Sequence, residues 1–359
     1  MEIENKKSEI LSFLNAGSLF NNEGGIYAWL SNDNGPSFLY SEISGYFLTL
    51  TSFLYSVGDL NEDDPAFKQA HKTCNWLLNS MLTENGSFID RVTHNELGSR
   101  TFFFDDFMII QGLLNYSSQI EDKELTEKTL VLLKKLSLFW RDDEDYNSLK
   151  NLKGENLDSQ ETWSTTVGPH HLKGVLPLLK AYHLTKDPFY KEEAYRLKDF
   201  ILKNFLKDGL LESEAGSIHS HPLLYALEGM ITFYNEFPEE DLKKLILVNF
   251  KSLSSKIIKG SIPRYKKEGE MNHSPRLDIY FQYLRVESLI NHLDIAKLEC
   301  KKKMIIENIE EYYNKDSYLF GADGLGKDIN HRTSWINFMA LQYYASLDKD
   351  KSLLLRYLV

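Results

Sequence analysis

The chain has 359 residues, 42% of them hydrophobic, and a net charge of −11 at neutral pH. This apolar fraction can form a large core, which excludes a disordered chain. The negative charge argues against general binding of nucleic-acid phosphates, which needs a clustered basic surface, although a few local arginines can still hold an anionic ligand.

Helical periodicity extends along the whole chain and alternates between two kinds of segment. Six segments are apolar on nearly every side, and six are amphipathic, with a repeat of about 55–60 residues. The apolar helices are predicted at 42–57, 103–118, 161–184, 221–235, 277–292 and 332–347. The amphipathic helices are predicted at 3–15, 64–83, 123–141, 187–206, 238–258 and 294–314.

A helix that is apolar all round is usually buried, whereas an amphipathic helix lies at the surface. The alternation therefore predicts an all-α fold, an (α/α)6 toroid in which six inner helices form a ring and six outer helices surround it. No linker-like segment interrupts the pattern, so we expect residues 1–359 to form a single domain.

The connections between the two kinds of helix differ in length. Those that lead from an apolar to an amphipathic helix are short, as at 58–61. Those that lead back are long and rich in Gly, His, Arg and Asp, at 142–160, 207–220, 259–276 and 315–331. Because long loops on one face of a rigid scaffold commonly build sites, we expect the site where the inner helices begin.

The candidate site residues lie at or near the first turns of the apolar helices. The catalytic candidates are Tyr40, Glu42, Tyr46, Asp105, Asp106, His219 and His221. The substrate-binding candidates are Trp163, His170, His171, Glu228, Arg264, Arg276, Asp278, Gln282, Arg285, Trp335 and Asn337. Further polar residues at the same helix starts are Arg100, Glu161, Glu212, Glu214, Tyr265, His273, Asp323, Asp328, His331 and Arg332.

Several of these residues also have a structural interpretation. The first-turn carboxylates Glu42, Asp105 and Asp106 suit helix capping or the helix dipole as well as catalysis. Glu228, inside an apolar helix, is either a cavity group or a buried hydrogen-bond partner. Trp163 and Trp335 are either core residues or platforms on which a sugar stacks.

No cofactor is expected. Histidines at 170, 171, 219 and 221 suggest zinc, but their spacing matches no metal motif and no cysteine is near, so no metal site is predicted. The chain has no GxSxG elbow, and the glycine-rich stretch 321–326 is acidic and follows no predicted strand, which argues against a phosphate site.

The cellular location is predicted from two features. Cys74 and Cys300 lie far apart and outside any CxxC spacing, which favours a reduced, cytoplasmic protein. The first seven residues lack the apolar core of a signal peptide, and no apolar run approaches the roughly 18 residues that a membrane span needs.

Four stretches resemble the six-hairpin toroid proteins that act on carbohydrates. They are Gly24-Gly25-Ile26-Tyr27-Ala28, Tyr40-Ser41-Glu42-Ile43-Ser44-Gly45-Tyr46, the segment 221–229 and the segment 333–342. Such proteins include the C-terminal domain of glucuronyl C5-epimerase, the N-acylglucosamine 2-epimerases, the unsaturated glucuronyl hydrolases and the toroid domains of polysaccharide lyases. Bacterial toroid proteins of surface-polysaccharide biosynthesis are the most similar, so the resemblance implies a carbohydrate ligand and partner enzymes of a biosynthetic locus.

Three functions remain open at this stage. The favoured one is an epimerase that acts on a sugar carbon of a uronate-containing glycan, in which His219, His221, Tyr40 or Tyr46 exchanges a proton and Arg276 or Arg285 neutralises the carboxylate. The second is a glycoside hydrolase that uses two carboxylates, or a polysaccharide lyase with a His/Tyr pair. The third is a toroid that binds glycans or organises partner enzymes without catalysis.

Overall fold

The computed structural model describes residues 2–31, 35–142, 145–158, 162–213, 217–267, 269–298 and 301–359. Glu161, Glu214 and Cys300, which the sequence analysis names, lie outside these ranges. The helices are α1 Glu2–Asn15, α2 Ser41–Ser56, α3 Pro65–Trp76, α4 Phe103–Gln119, α5 Lys123–Trp140, α6 Val175–Thr185, α7 Pro188–Phe205, α8 Ser220–Glu236, α9 Glu240–Ser255, α10 Leu277–His292, α11 Lys302–Glu310, α12 Ser334–Ser346 and α13 Lys351–Arg356.

Six of these helices form a closed inner ring. In order around the ring they are α2, α4, α6, α8, α10 and α12; each packs against the next, and α12 packs against α2. Helices α3, α5, α7, α9 and α11 each pack outside the inner helix that precedes them, and α1 packs against α12. The predicted (α/α)6 toroid is therefore confirmed.

Short strands, which the sequence analysis did not predict, fill the long connections from outer to inner helices. They are β1 Trp29–Ser31, β2 Gly35–Pro36, β3 Leu39–Tyr40, β4 Arg91–Thr93, β5 Glu96–Leu97, β6 Arg100–Phe102, β7 Arg141–Asp142, β8 Asp145–Tyr146, β9 Leu149–Asn151, β10 Leu206–Lys207, β11 Leu210–Leu211, β12 Ile218–His219, β13 Tyr265–Lys267, β14 Glu270–Asn272, β15 Tyr313–Asn314, β16 Ser317–Ala322 and β17 Asp328–Thr333.

The strands join neighbouring connections to one another. Antiparallel pairs β3–β4, β6–β9, β12–β13 and β1–β17 each link two connections that are adjacent around the ring. The loops at the mouth of the toroid thus hydrogen-bond to the loops next to them around the ring. This pairing fixes the positions of the side chains that the loops carry.

Some helix boundaries differ from the prediction. The third inner helix was expected over 161–184, but α6 begins at Val175 and follows a 3-10 helix, Pro169–Gly174. Pro169 stands at the first position of this 3-10 helix, where its missing N–H costs nothing, and a Cβ on Gly174 would come within 3.1 Å of Phe107 and Leu197, so the turn packs closely on α4 and α7. Helix α11 is shorter than the predicted 294–314, and α13 was not predicted.

No helix in the described part of the chain is long and apolar enough to cross a membrane.

Two glycines bring α2 and α4 into backbone contact. A Cβ on Gly112 would lie 2.3 Å from the carbonyl oxygen of Gly45, and one on Gly45 would lie 2.7 Å from the Ile109 Cα. Neither backbone atom can move aside independently, since both belong to buried helices. The ring therefore closes at this point only with glycine at both positions.

Replacing Gly112 with alanine should destabilise the protein. Overpacking of a buried contact costs about 1–3 kcal/mol, and more when the neighbour is backbone. Chemical denaturation measures the change, with Gly324→Ala as the control, because a Cβ at Gly324 meets no atom within 4 Å. Equal stability of the two variants would show that α2 and α4 can separate without loss.

Candidate functional site

A cavity of about 1140 Å³ opens where the inner helices begin. Ten of the eighteen residues predicted as catalytic or substrate-binding line it, as do Arg100 and Tyr265 of the further polar residues; the ten are Tyr40, Glu42, Tyr46, Asp105, Trp163, His170, His219, His221, Arg276 and Trp335. They come from the starts of α2, α4, α8 and α12, from the residue before α10, and from the 3-10 turns that precede α6. The structure therefore brings together at one place residues that are up to 295 positions apart in sequence.

The remaining predicted residues lie outside the cavity. They are Asp106, His171, Glu228, Arg264, Asp278, Gln282, Arg285 and Asn337. Asp106, predicted as catalytic, accepts hydrogen bonds from the Phe88 N–H at 2.7 Å and the Trp140 indole N–H at 2.8 Å. Its carboxylate therefore anchors the start of α4, and only Asp105 of the tandem pair faces the cavity.

His171, Arg264 and Asn337 also have structural partners. The His171 ring is fully buried, and its Nδ1 lies 3.2 Å from the Gly168 N–H. Arg264 donates to the Ala322 carbonyl at 3.0 Å. Asn337 exchanges hydrogen bonds with the backbone of Tyr318, at 2.7 and 3.0 Å, and so holds β16 on α12.

His221 lies on the cavity wall as a neutral imidazole. Its Nδ1 is 2.5 Å from the side-chain amide oxygen of Gln282, Oε1. Because this oxygen can only accept a hydrogen bond, Nδ1 carries the proton and Nε2 keeps its lone pair. Burial lowers the pKa of His221 to about 3, despite the opposing charge of Asp278, whose Oδ2 lies 3.8 Å from Nε2.

Asp278 remains charged behind His221. Arg276 donates to its Oδ2 at 2.8 and 3.0 Å, and the Trp335 indole N–H donates at 3.0 Å. Although burial opposes ionisation, the charge of Arg276 and these hydrogen bonds lower the pKa of Asp278 to about 2. Gln282 thus positions the His221 ring, and Asp278 supplies negative charge beside it.

His170 is the second imidazole on the cavity wall. Only 2% of it is exposed, and neither ring nitrogen has a hydrogen-bond partner among the described residues. Burial lowers the pKa of His170 well below the usual range. Trp163 presents edge-on contacts to both imidazoles, with ring centroids 5.2 Å from His170 and 5.3 Å from His221.

Acidic groups lie on the wall that α2 and α4 form. Burial raises the pKa of Asp105 well above its usual range, and the negative charges of Glu42 and Asp90 raise it further. Burial also raises the pKa of Glu42, although hydrogen bonds from Tyr46 and Tyr40 and the charges of Lys173 and Arg276 oppose it. Asp105 is therefore the more readily protonated of the two carboxyl groups.

A pair of tyrosine hydroxyls continues from Glu42 towards His221. The Tyr46 and Tyr225 hydroxyl oxygens are 2.9 Å apart, and both residues line the cavity. The Tyr225 ring lies 4.4 Å from the His221 ring and 4.8 Å from the Phe104 ring. The hydroxyl pair thus connects the acidic wall with the imidazole wall.

Sequence reasoning missed several lining residues, chiefly Tyr225, Asp90 and Arg91. Tyr225 follows His221 by four residues on α8, so helical spacing could have found it. Asp90 and Arg91 precede α4 by more than ten residues, on a hairpin that reaches the cavity only because β4 pairs with β3. No local signal marks that pairing.

A chain of buried charges lies below the cavity. Lys173 Nζ is 2.9 Å from Glu228 Oε2, and Glu228 Oε1 is 2.7 Å from the Arg285 guanidinium. Arg285 also donates to Gln342 at 2.7 Å and to the Val359 main-chain oxygen at 2.8 Å. Lys173, Glu228 and Arg285 are fully buried, so Glu228 and Arg285 are structural partners of each other rather than cavity groups.

Replacing Glu228 with glutamine should destabilise the fold by about 3–5 kcal/mol, because two buried cations would lose their shared counter-charge. Denaturant titration measures this, with Asp241→Asn as the matched control. Asp241 pairs with Lys244 at 2.9 Å on the exposed surface. Solvent screens this ion pair, so its loss should change the free energy of unfolding very little. If the two variants were equally stable, the buried chain would contribute nothing to the fold.

Within the described ranges, no group of three or more His, Cys, Asp and Glu side chains could hold a metal ion. Cys74 is buried and free.

No family model matches the chain, and no curated protein matches it. Solved structures, in contrast, are similar to the chain. A sugar epimerase from a ruminal bacterium is similar over 98% of this chain and 100% of its own, with 14% identity and a TM-score of 0.78. The cellobiose 2-epimerase of Bacillus thermoamylovorans is similar over 96% and 97%, with 12% identity and a TM-score of 0.77.

A third similar structure is an α-1,6-mannanase of a Salegentibacter species. It covers 98% of this chain and 99% of its own, with 12% identity and a TM-score of 0.63. These likenesses extend over whole chains at low identity, so they establish a shared toroid fold.

Proposed function

We propose that the protein is a sugar epimerase or isomerase that moves a proton at a carbon next to a carbonyl group. The observation that carries this proposal is the pair of neutral imidazoles, His170 and His221, on the wall of one cavity. Removing such a carbon-bound proton needs a base that is uncharged at neutral pH and can return the proton once it holds it, and the carbonyl oxygen needs a hydrogen-bond donor where negative charge develops. The two histidines supply both.

His221 is the better candidate for the base. Because Gln282 fixes the proton on Nδ1, the Nε2 lone pair is available to a substrate. When His221 takes a proton, it becomes an imidazolium ion next to the charged Asp278, which stabilises it. The His221 imidazolium then returns the proton, while the neutral His170 donates its N–H as a hydrogen bond to the former carbonyl oxygen, where negative charge develops.

The preferred substrate is a neutral sugar rather than the uronate expected from sequence. Of the two arginines predicted to neutralise a carboxylate, Arg276 is already paired with Asp278, and Arg285 lies beneath the cavity floor with Glu228. Trp163 and Trp335 line the cavity and offer apolar surfaces to a sugar ring. Two of the similar structures are by name epimerases of sugars, which supports the same class.

The test is deuterium exchange. In D2O with D-glucose, D-mannose or cellobiose, the protein should place deuterium on the sugar carbon next to the anomeric carbon without cleaving any chain, as followed by NMR and mass. His221→Gln and His170→Gln should each lower this rate by about 10²–10⁴-fold, the usual contribution of a general acid or base.

His292→Gln is the matched control, because His292 lies at the far end of α10 and contacts Asp350 near the surface. It should leave the exchange rate unchanged. Loss of exchange in His292→Gln, or equal exchange in the His221 variant and the unaltered protein, would contradict the assignment. Binding of sugars without any exchange would favour the scaffold alternative.

A glycoside hydrolase is the second candidate. Glu42 and Asp105 face the same cavity, and the charge of Glu42 helps to keep Asp105 protonated, as an acid–base pair requires. The Salegentibacter mannanase is described as an inactive variant in which two consecutive aspartates became asparagines. Here the second aspartate of the tandem, Asp106, points away, so a hydrolase would have to use Glu42 with Asp105.

New reducing ends from cellobiose or α-1,6-mannotriose, lost in Asp105→Asn, would establish the hydrolase instead. A cytoplasmic location and partner enzymes of a biosynthetic locus stay predictions from sequence.

A further inference from the structure

The hydroxyl chain from Glu42 to Tyr225 has no part in the proton exchange proposed for His221 and His170. Tyr225 faces the cavity and is 2.9 Å from Tyr46 through their hydroxyl oxygens. Tyr46 lies one helical turn after Glu42 on α2, and the Tyr46 and Tyr40 hydroxyls both lower the pKa of the Glu42 carboxyl group, against the larger effect of burial. Two buried hydroxyls therefore connect the part of the cavity wall at Tyr225 to a carboxylate on another part of that wall, Glu42.

The direction of this chain follows from its acceptor end. A carboxylate only accepts, so Tyr46 donates to Glu42, and the Tyr46 oxygen then accepts from Tyr225. The Tyr225 oxygen is left with a lone pair for a hydroxyl group of a bound molecule. Such a chain is built to draw a proton away from a substrate hydroxyl.

A cation lies under the two tyrosines. Lys173 Nζ is 4.4 Å from the Tyr225 ring centroid and 5.2 Å from that of Tyr46. Positive charge at this position favours the partial negative charge that each phenolic oxygen gains while a proton passes through it. Lys173 is itself held by Glu228, so it is a positioning residue and does not touch the substrate.

We propose that Tyr225, Tyr46 and Glu42 form a proton relay that opens the ring of a cyclic sugar, and that the protein therefore also interconverts the two anomers of its substrate. The inference deepens the proposed function and rests on it for the identity of the substrate. A cyclic sugar has no carbonyl group, because its anomeric carbon is a hemiacetal, so the carbon-bound proton becomes acidic only after the ring opens.

Ring opening needs only proton donors and acceptors that line the cavity. The anomeric hydroxyl gives its proton to the Tyr225 oxygen, Tyr225 passes its own proton to Tyr46, and Tyr46 passes its proton to Glu42. The electrons of the O–H bond form the new carbonyl. The bond between the anomeric carbon and the ring oxygen breaks, and its electron pair stays on that oxygen.

Asp105 supplies the proton that the ring oxygen needs. It lines the cavity, only 5% of it is exposed, and its Oδ2 has no hydrogen-bond partner among the described residues. When the ring closes again, the ring hydroxyl returns its proton to Asp105, and the relay returns the other from Glu42. Closure on the opposite face of the carbonyl yields the other anomer.

The test measures the interconversion of the α and β anomers of D-glucose, D-mannose and cellobiose by magnetisation-exchange NMR. The protein should accelerate it above the rate in buffer alone. Tyr225→Phe and Tyr46→Phe, which remove only one hydroxyl each, should lower the added rate at least tenfold. Tyr283→Phe is the control, because its buried hydroxyl hydrogen-bonds Ser254 away from the cavity and should not matter.

The outcomes separate this inference from the proposed function. Deuterium exchange without any acceleration of anomer interconversion would overturn the relay and leave the epimerase proposal standing. Anomer interconversion that persists in His221→Gln, above the buffer rate, while deuterium exchange is lost would support the relay as a separate step. Equal rates for Tyr225→Phe and the unaltered protein would overturn it, and no effect of the protein on either process would overturn both proposals.

Discussion

The chain of buried charges under the cavity determines how the inner ring can be arranged. Lys173, Glu228 and Arg285 come from the turn before α6, from α8 and from α10, and all three are fully buried. Removing ions from water is costly, so each must stay within contact distance of its partner. Gln342 on α12 extends the same chain through Arg285. Four inner-helix segments are thereby held at fixed separations, and the tyrosine pair above Lys173 is held with them.

Above this floor, the cavity has two walls with different proton chemistry. On one wall, burial keeps His170 and His221 uncharged, so they are bases at neutral pH. On the other wall, burial and the neighbouring negative charges raise the pKa of Asp105, so this carboxyl group holds a proton more readily than an exposed one. The same physical cause, removal from water, has opposite effects because it disfavours whichever form of a group is charged. One desolvated cavity thus holds acids and bases that would neutralise each other in water.

Much of this arrangement could be predicted from sequence because the toroid fold constrains it. A repeated alternation of apolar and amphipathic helices leaves few folds available, and the first turn of an inner helix must face the mouth of the ring. Glu42, Asp105 and His221 were found for this reason. How deep a side chain lies below the mouth of the ring was harder to predict. Arg285 lies two turns inside α10, where the sequence does not show whether a residue lines the cavity or is buried beneath it.

Two other features needed the structure. Asp105 and Asp106 are adjacent, but neighbouring residues on a helix point about 100° apart, so only one of them faces the cavity. Sequence shows the tandem pair without its orientation. Asp90 and Arg91 reach the site through the pairing of β3 with β4, which joins residues about 50 positions apart and leaves no local pattern. Tertiary pairing of short strands is decided by their neighbours rather than by their own residues.

The central claim is that His170 and His221 are neutral, and histidine ring-nitrogen NMR tests it most directly. Long-range 1H–15N spectra between pH 7.5 and pH 5, assigned with the two glutamine variants, report the charge and tautomer of each ring. The account predicts that both rings stay neutral across this range and that His221 carries its proton on Nδ1. Protonation of either ring near pH 6.5, the ordinary value for a histidine in water, would contradict it.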